Sequence, residues 1–454
     1  MAITETTSLN AILNESGKVY LSVDGYGTLS QTSSVEVLKK LDATVRKAYL
    51  VGSGTNISSS VIGTTATLNG TNVNWDRIES TPLGGGYSFY SYLADVTSVL
   101  KPTIDSAASG TLSIALDEGN ETYSYEGLAL AVLFDDPNQT TDNNVILYFG
   151  GLPTTGATTT INFSSPVDLN QVGAATLGLG IGFSYAAAGQ TSRVSVNGQQ
   201  LSLVAGDYDD GVSGANNGSL FTVGGLGDNT NNPPLLSTDP ATDDELYNLL
   251  PFINNGDSNL TLNTINPSND DHIFFAHLTL EGLQSTTISS VISFSSSAYQ
   301  LQEDGSAISS VTLTRSGSVI GEVSVTLTPT DGTAVAGNDY DGTPIVVNFA
   351  DGQARATVTI PIIDNTVYQG DKTINLALSD PTNGATLGSQ FTSLLTIVEN
   401  DPQPIEKYNF TYFYGNGDSY SGYGFAPSGT YSVGQLPNYY DNETGNQQGY
   451  YVID

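Results

Sequence analysis

The chain has no cysteine, two histidines, one tryptophan and only twelve lysines and arginines among 454 residues. Without cysteine, disulfides and thiolate metal sites are excluded. Forty-six acids against those few bases give a formal charge of −34, and such a surface repels the phosphates of nucleic acid. No apolar run approaches the roughly 18 residues of a membrane span, so membrane insertion is not expected. The opening MAITETTSLNAILNESG has neither a basic start nor an apolar stretch, so it does not read as a secretory signal. The expectation is an extracellular or cell-surface protein that leaves by a route of the type I secretion kind. No G-x-S-x-G elbow, P-loop, HExxH or Cys/His pair is present, so no catalytic residue is assigned and no enzyme is expected.

What remains is a Ser/Thr/Asn/Gly-rich chain in which charged residues make up only 13%, about half the usual share. Isolated carboxylates on such a surface suit an extracellular protein or one that collects divalent cations. KVYLSVDG (18–25), TVTIPII (357–363) and TINLAL (373–378) place apolar residues at every second position, the period of a half-buried strand. SSVEVLKKLDATVRKAYLV (33–51) is rich in β-branched residues and reads as two strands. DDELYNLLPFI (243–253) offers one short helix, with Asp243 or Asp244 near its N-terminus. The fold class is all-β, as tandem β-sandwiches with a small C-terminal hairpin module. The expected units are a leader at 1–19, a large sandwich at 20–285, a second sandwich at 286–402 and a Tyr/Gly-rich module at 403–454.

Residues 290–401 carry FSSSAYQLQEDG, a DGTA…DY pair, the F-x-x-G-Q entry of NFADGQ, an IPIIDN turn and a closing VEND. Together these resemble the Calx-beta domain, which implies an immunoglobulin-like sandwich with calcium-binding acids at one end. Position by position, the resemblance makes Glu303, Asp339, Asp364 and Asp401 ligand candidates, with Asn365 able to offer a carbonyl oxygen. Gln369 and Lys372 stand where two further acids are expected, and Lys372 could pair with Asp364 or Asp371. Three readings stay open: a multi-ion sensor, a single structural Ca²⁺, and a calcium-independent spacer.

VRKAYL, YLADVT, EGLALAVLFDDP and NPSNDDHIFFAHL in residues 20–285 resemble a sandwich of bacterial surface proteins, which implies no activity. In its loops stand Asp207 and Asp209, Asp243 and Asp244, and Asp270 and Asp271. Paired carboxylates with no base nearby repel unless a cation such as Ca²⁺ bridges them, or they simply start turns. His272 and His277, five apart on a strand, should face opposite ways and make no shared metal site. Trp75 is expected in the core or at a domain-edge contact, the other reading being an exposed sugar platform.

Residues 408–454 hold ten of the 25 tyrosines and, with their NGD turn and NETG, resemble a module of cyanobacterial surface proteins. Strands this few need a partner surface, either the chain's own sandwich or a neighbouring copy. A homopolymer is expected, an extracellular filament or surface assembly. Its contacts would be Ile3, Leu9, Ile12 and Leu13 of a donated leader strand, facing Tyr412, Tyr414, Tyr420, Tyr450 and Tyr451 of the tail. The alternative is an adhesin or matrix protein that binds glycan or mineral.

Overall fold

The computed structural model describes residues 3–5, 8–27, 32–56, 66–84, 87–117, 126–152, 155–182, 192–205, 221–230, 245–266, 272–286, 288–304, 311–414, 419–427, 438–440 and 447–453. Strands make up 60% of the chain and helix 4%, so the protein is all-β.

The N-terminal part is a stack of four sheets. Two six-stranded sheets face each other in the middle. Their central strands, Gly127–Asp135 in one and Asn143–Gly150 and His272–Glu281 in the other, are buried on both faces. That is why GLALAVLF, VILYFG and IFFAHL read as continuous apolar runs and not as alternation. Leu128, Leu130, Val132 and Phe134 turn outward into one core, while Ala129, Ala131 and Leu133 turn inward into another. A four-stranded sheet caps each outer side. One brings Val35, Leu68 and Leu116 onto the first inner sheet, and the other brings Ile161, Val194 and Leu260 onto the second. Two cores would make one sandwich with a cap; three cores make two sandwiches sharing a midline. Residues 20–285 are thus more than the single sandwich expected.

The leader assignment is corrected by the same architecture. Leu9–Gly17 is an edge strand of the second inner sheet and pairs antiparallel with Asn143–Gly150 of its own chain. Leu13 is buried between the inner sheets, and Leu9 and Ile12 pack at core margins. Ile3 lies in a short strand, Ile3–Glu5, paired parallel with Arg77–Gly84. These backbone groups find partners within the chain, so the segment is not a strand held out for a neighbour.

The expected helix at 243–253 shrinks to a 3-10 turn, Leu250–Phe252, among the described residues. A helix that the pattern did not suggest spans Thr97–Ser106 and buries Leu100 and Ile104, one turn apart, on the first outer core. Residues 33–51 are indeed two strands, Thr32–Lys39 and Thr44–Asn56. Trp75 is buried, its ring 5.4 Å from that of Tyr92, so it offers no sugar platform.

After residue 288 a second unit begins, a four-stranded sheet packed on a five-stranded one around Phe294, Leu313, Phe349, Leu376 and Leu395. Its strands alternate buried and partly exposed positions, as in Val323–Asp331. It is tied to the stack by the strand at residue 11: the Ala11 amide donates to the Gly317 carbonyl (2.8 Å), and the Val319 amide donates to the Ala11 carbonyl (3.0 Å). Residues 405–453 form a separate four-stranded sheet. Its order is Ser419–Pro427, Ile405–Tyr414, Gln447–Ile453 and Asn438–Tyr440.

Candidate metal centre

The centre follows from one pairing. Strands Ala298–Gln302 and Thr392–Val398 run parallel, with Gln302 opposite Val398. Parallel neighbours end at the same edge of a sheet, so the residues just beyond them, Glu303 and the Glu399–Asp401 segment, emerge together. The Glu303 amide still donates to the Val398 carbonyl at 3.0 Å, which fixes the exit of the chain. Oxygens of Glu303, Glu399 and Asp401 then lie within 4.8 Å of one another.

Like charges this close cannot all be ionised without compensation. Glu303 is 7% exposed. Burial, then the hydrogen bond and charge of Glu399, with Asp401 and Asp364 adding to them, push its carboxyl up to about 7. Burial also works to raise Glu399, but the amides of Gln369, Asp401 and Gly370 donate to it and hold it down to about 2. Asp401 is raised by burial and by the charges of Glu399 and Asp364. Among the described residues two buried oxygens, Oε2 of Glu303 and Oδ2 of Asp401, have no donor. Three convergent carboxylates, two of which carry such an oxygen, fit a Ca²⁺ ion, which takes six to eight oxygen ligands. Asn365 braces the centre by donating to Glu303 Oε1 while its own Oδ1 accepts the Val367 amide at 2.8 Å.

Of the expected ligands, Glu303 and Asp401 are brought together. Asp364 acts on both through its charge without joining the cluster. Asp339 is not available. It is 6% exposed; its Oδ1 receives Lys372 Nζ at 2.6 Å and its Oδ2 the Val335 amide at 2.8 Å. Lys372 thus pairs with Asp339, not with Asp364 or Asp371, and also donates to Gln369 Oε1. Asp371 instead accepts the Glu399 amide at 3.0 Å. The ligand missing from the expected set is Glu399. Its signal is the second position of VEND, which the parallel pairing sets beside Glu303.

Asp207, Asp209, Asp243, Asp244, Asp270 and Asp271 lie outside the described residues. The histidines differ from expectation. The pairing of His272–Glu281 with Ala175–Gly182 slips by one residue between Gly180 and Ile181, and such a bulge re-aims side chains. Both histidines therefore face the core between the inner sheets, and both are buried. His272 Nε2 lies 2.7 Å from Ser91 Oγ, and His277 Nε2 lies 2.7 Å from the Gly224 carbonyl. Burial pushes them down to about 3 and about 4, so both rings are neutral and structural.

The second unit is thus a two-sheet sandwich that gathers carboxylates where neighbouring strands end. The family model for the Calx-beta domain matches residues 286–401, and this segment is a Calx-beta domain. Adhesion G-protein coupled receptor V1 of Danio rerio is 34% identical over 68 residues, 15% of this chain and 1% of that protein. Sodium/calcium exchanger 1 of Felis catus is 29% identical over 129 residues, 25% of this chain and 13% of that protein. The chain therefore spans only a small part of the length of these curated relatives. The crystal structure of the apo-form Calx CBD1 domain is 25% identical and covers 25% of this chain and 99% of its own, with a TM-score of 0.23.

Proposed function

We propose that the chain is a non-catalytic extracellular or surface protein whose Calx-beta domain binds a single Ca²⁺ through Glu303, Glu399 and Asp401. The observation that carries this reading is the convergence of these three carboxylates, with two buried oxygens that have no donor among the described residues. The ion would supply the positive charge that lets all three ionise. Lys372, held on Asp339, lines the same small cavity and puts a cation where a further acid is expected. This favours one ion over the multi-ion cluster. Bound there, the cation stiffens the segment at Asp401, from which the chain runs to the C-terminal sheet. Calorimetric titration of the chelator-treated chain with CaCl₂ tests the reading. One equivalent is expected, and Glu399→Gln should weaken it by at least about tenfold, because affinity follows ligand charge. No heat from the unaltered chain would end the calcium reading.

A second reading, self-association through the C-terminal sheet, has one observation in its favour. Its outer strands, Ser419–Pro427 and Asn438–Tyr440, each pair on one side only among the described residues, and open edges add strands from other chains. Tyr412, Tyr414, Tyr420, Tyr450 and Tyr451 belong to three of its strands. Electron microscopy of the chain with and without a chelator checks it. Filaments are expected, and dispersed single particles in both conditions would remove this reading and leave the adhesin.

A further inference from the structure

The strongest unassigned feature is a cleft of about 510 Å³ between the stack and the Calx-beta domain. Residues of the first inner sheet line its floor, and Ile12 of Leu9–Gly17 completes the lining, with Val319 and the Calx-beta turn at 351–355 as a roof. The roof is rigid. Arg315, 1% exposed, donates to Ser290 Oγ (2.9 Å), the Ala350 carbonyl (3.2 Å) and the Ile320 carbonyl (2.8 Å), and the Gly352 amide donates to the Val319 carbonyl (2.8 Å).

On the floor two ion pairs stand side by side, Lys47 with Asp95 at 2.9 Å and Arg77 with Glu79. Glu79 is 2% exposed, and among the described residues one buried oxygen of Glu79 and one buried guanidinium nitrogen of Arg77 have no partner. Other groups keep hydrogen-bonding capacity to spare. Among the described residues the Tyr49 hydroxyl and the Arg355 guanidinium have no protein partner. Asp76 and Asp351 each use one oxygen, for the Asp95 and Gly321 amides at 2.6 Å, and keep the other. The walls between them are apolar: Ile12, Leu93, Val319 and Ala354.

Such a lining selects by charge. Asp76 and Asp351 outweigh Arg355 once the two pairs cancel, so phosphate esters and other polyanions are repelled. No three acids here approach closely enough to appear as a metal cluster among the described residues. A neutral ligand with many hydroxyls and an apolar C–H face meets every requirement, since each hydroxyl both donates and accepts. The volume falls within the range of roughly 300–1,000 Å³ that small-molecule sites occupy.

We propose that this interdomain cleft binds a neutral carbohydrate, with Tyr49 and Arg355 donating to sugar oxygens and Asp76 and Asp351 accepting from sugar hydroxyls. The site is independent of the calcium centre, and because its walls come from both units, a sugar there bridges them. Tyr49 keeps its proton: burial, then the charges of Asp95 and Asp351, raise its phenol well above the ordinary value.

The test passes the full chain over immobilised neutral oligosaccharides, with sialylated and sulfated ones beside them. Hits are titrated against the unaltered chain, Arg355→Met and Tyr49→Phe. Retention of neutral oligosaccharides is expected, with affinity at least about tenfold lower in Arg355→Met, the loss of a hydrogen bond to a charged group. A smaller drop is expected in Tyr49→Phe, and calcium titration of both variants should be unchanged. Retention of no neutral oligosaccharide, retention of the acidic ones alone, or equal affinity in both variants would each overturn the proposal.

Discussion

The stack and the Calx-beta domain place their buried acids differently. In the stack they stand singly, each with a protein partner at one oxygen: Glu79 has Arg77, and Glu126 has the Ser53 hydroxyl at 3.1 Å. At the end of the Calx-beta sandwich, three carboxylates face one another and a proton on Glu303 relieves them. One difference is strand direction. The central strands of the stack run antiparallel, so the end of one lies beside the start of the next. The parallel pair Ala298–Gln302 and Thr392–Val398 leaves at one edge and concentrates the acids that follow it. Carboxylates gathered at one point present several oxygens to an external cation, whereas a lone paired acid does not.

This contrast can be broken from either side. The largest effect is expected from Phe134→Ala, which empties a fully buried site in the outer core of the stack. It should cost about 3–5 kcal/mol, seen in urea melts as a shift of the stack's transition with the Calx-beta transition in place. Lys372→Met leaves Asp339 buried without its cation and should cost about 3 kcal/mol in the Calx-beta transition alone.

The two histidines sharpen the comparison through pH. Their folded-state values, about 3 and about 4, lie below the ordinary 6.5, so folding favours the neutral ring. Their contribution is fully present above pH 6.5 and is lost as pH falls toward 4. The slope is up to about 1.4 kcal/mol per pH unit for each ring. Denaturation midpoints between pH 7 and 4 measure it, and His277→Gln should flatten the curve. Glu303 gives the smallest effect. With its carboxyl at about 7, calcium must displace a proton below that pH, so affinity should be about tenfold weaker at pH 6 than at pH 8. Calorimetry in buffers of different ionisation heat reads the released proton directly.

Much of this was legible in the chain. Alternation in TINLAL and unbroken apolarity in VILYFG distinguish one-faced from two-faced strands by pattern alone. The Asn69-Gly70 and Asn197-Gly198 pairs sit at positive φ in two tight hairpins, as such dipeptides predict. The Calx-beta motifs carried Glu303 and Asp401 as well. The rest depended on contacts between residues far apart in sequence. Glu399 becomes a candidate ligand only through a strand nearly a hundred residues upstream. Lys372 had three acids to choose from, and the fold offered it the buried one. The bulge that turns both histidines inward is a register slip, which a strict two-residue period cannot reveal. The docking of Leu9–Gly17 was hidden because polar Asn10 and Asn14 mask the apolar side of that strand.

That strand has a mechanical consequence. At Ala11 it is held on one side by the Asn143–Gly150 strand and bridged on the other to the Gly317–Val319 turn. A pull along the strand would load these hydrogen bonds together in shear, not one after another. The segment at the start of the chain would then act as a rivet through two plates, and tension would reach the calcium end only after the rivet gives.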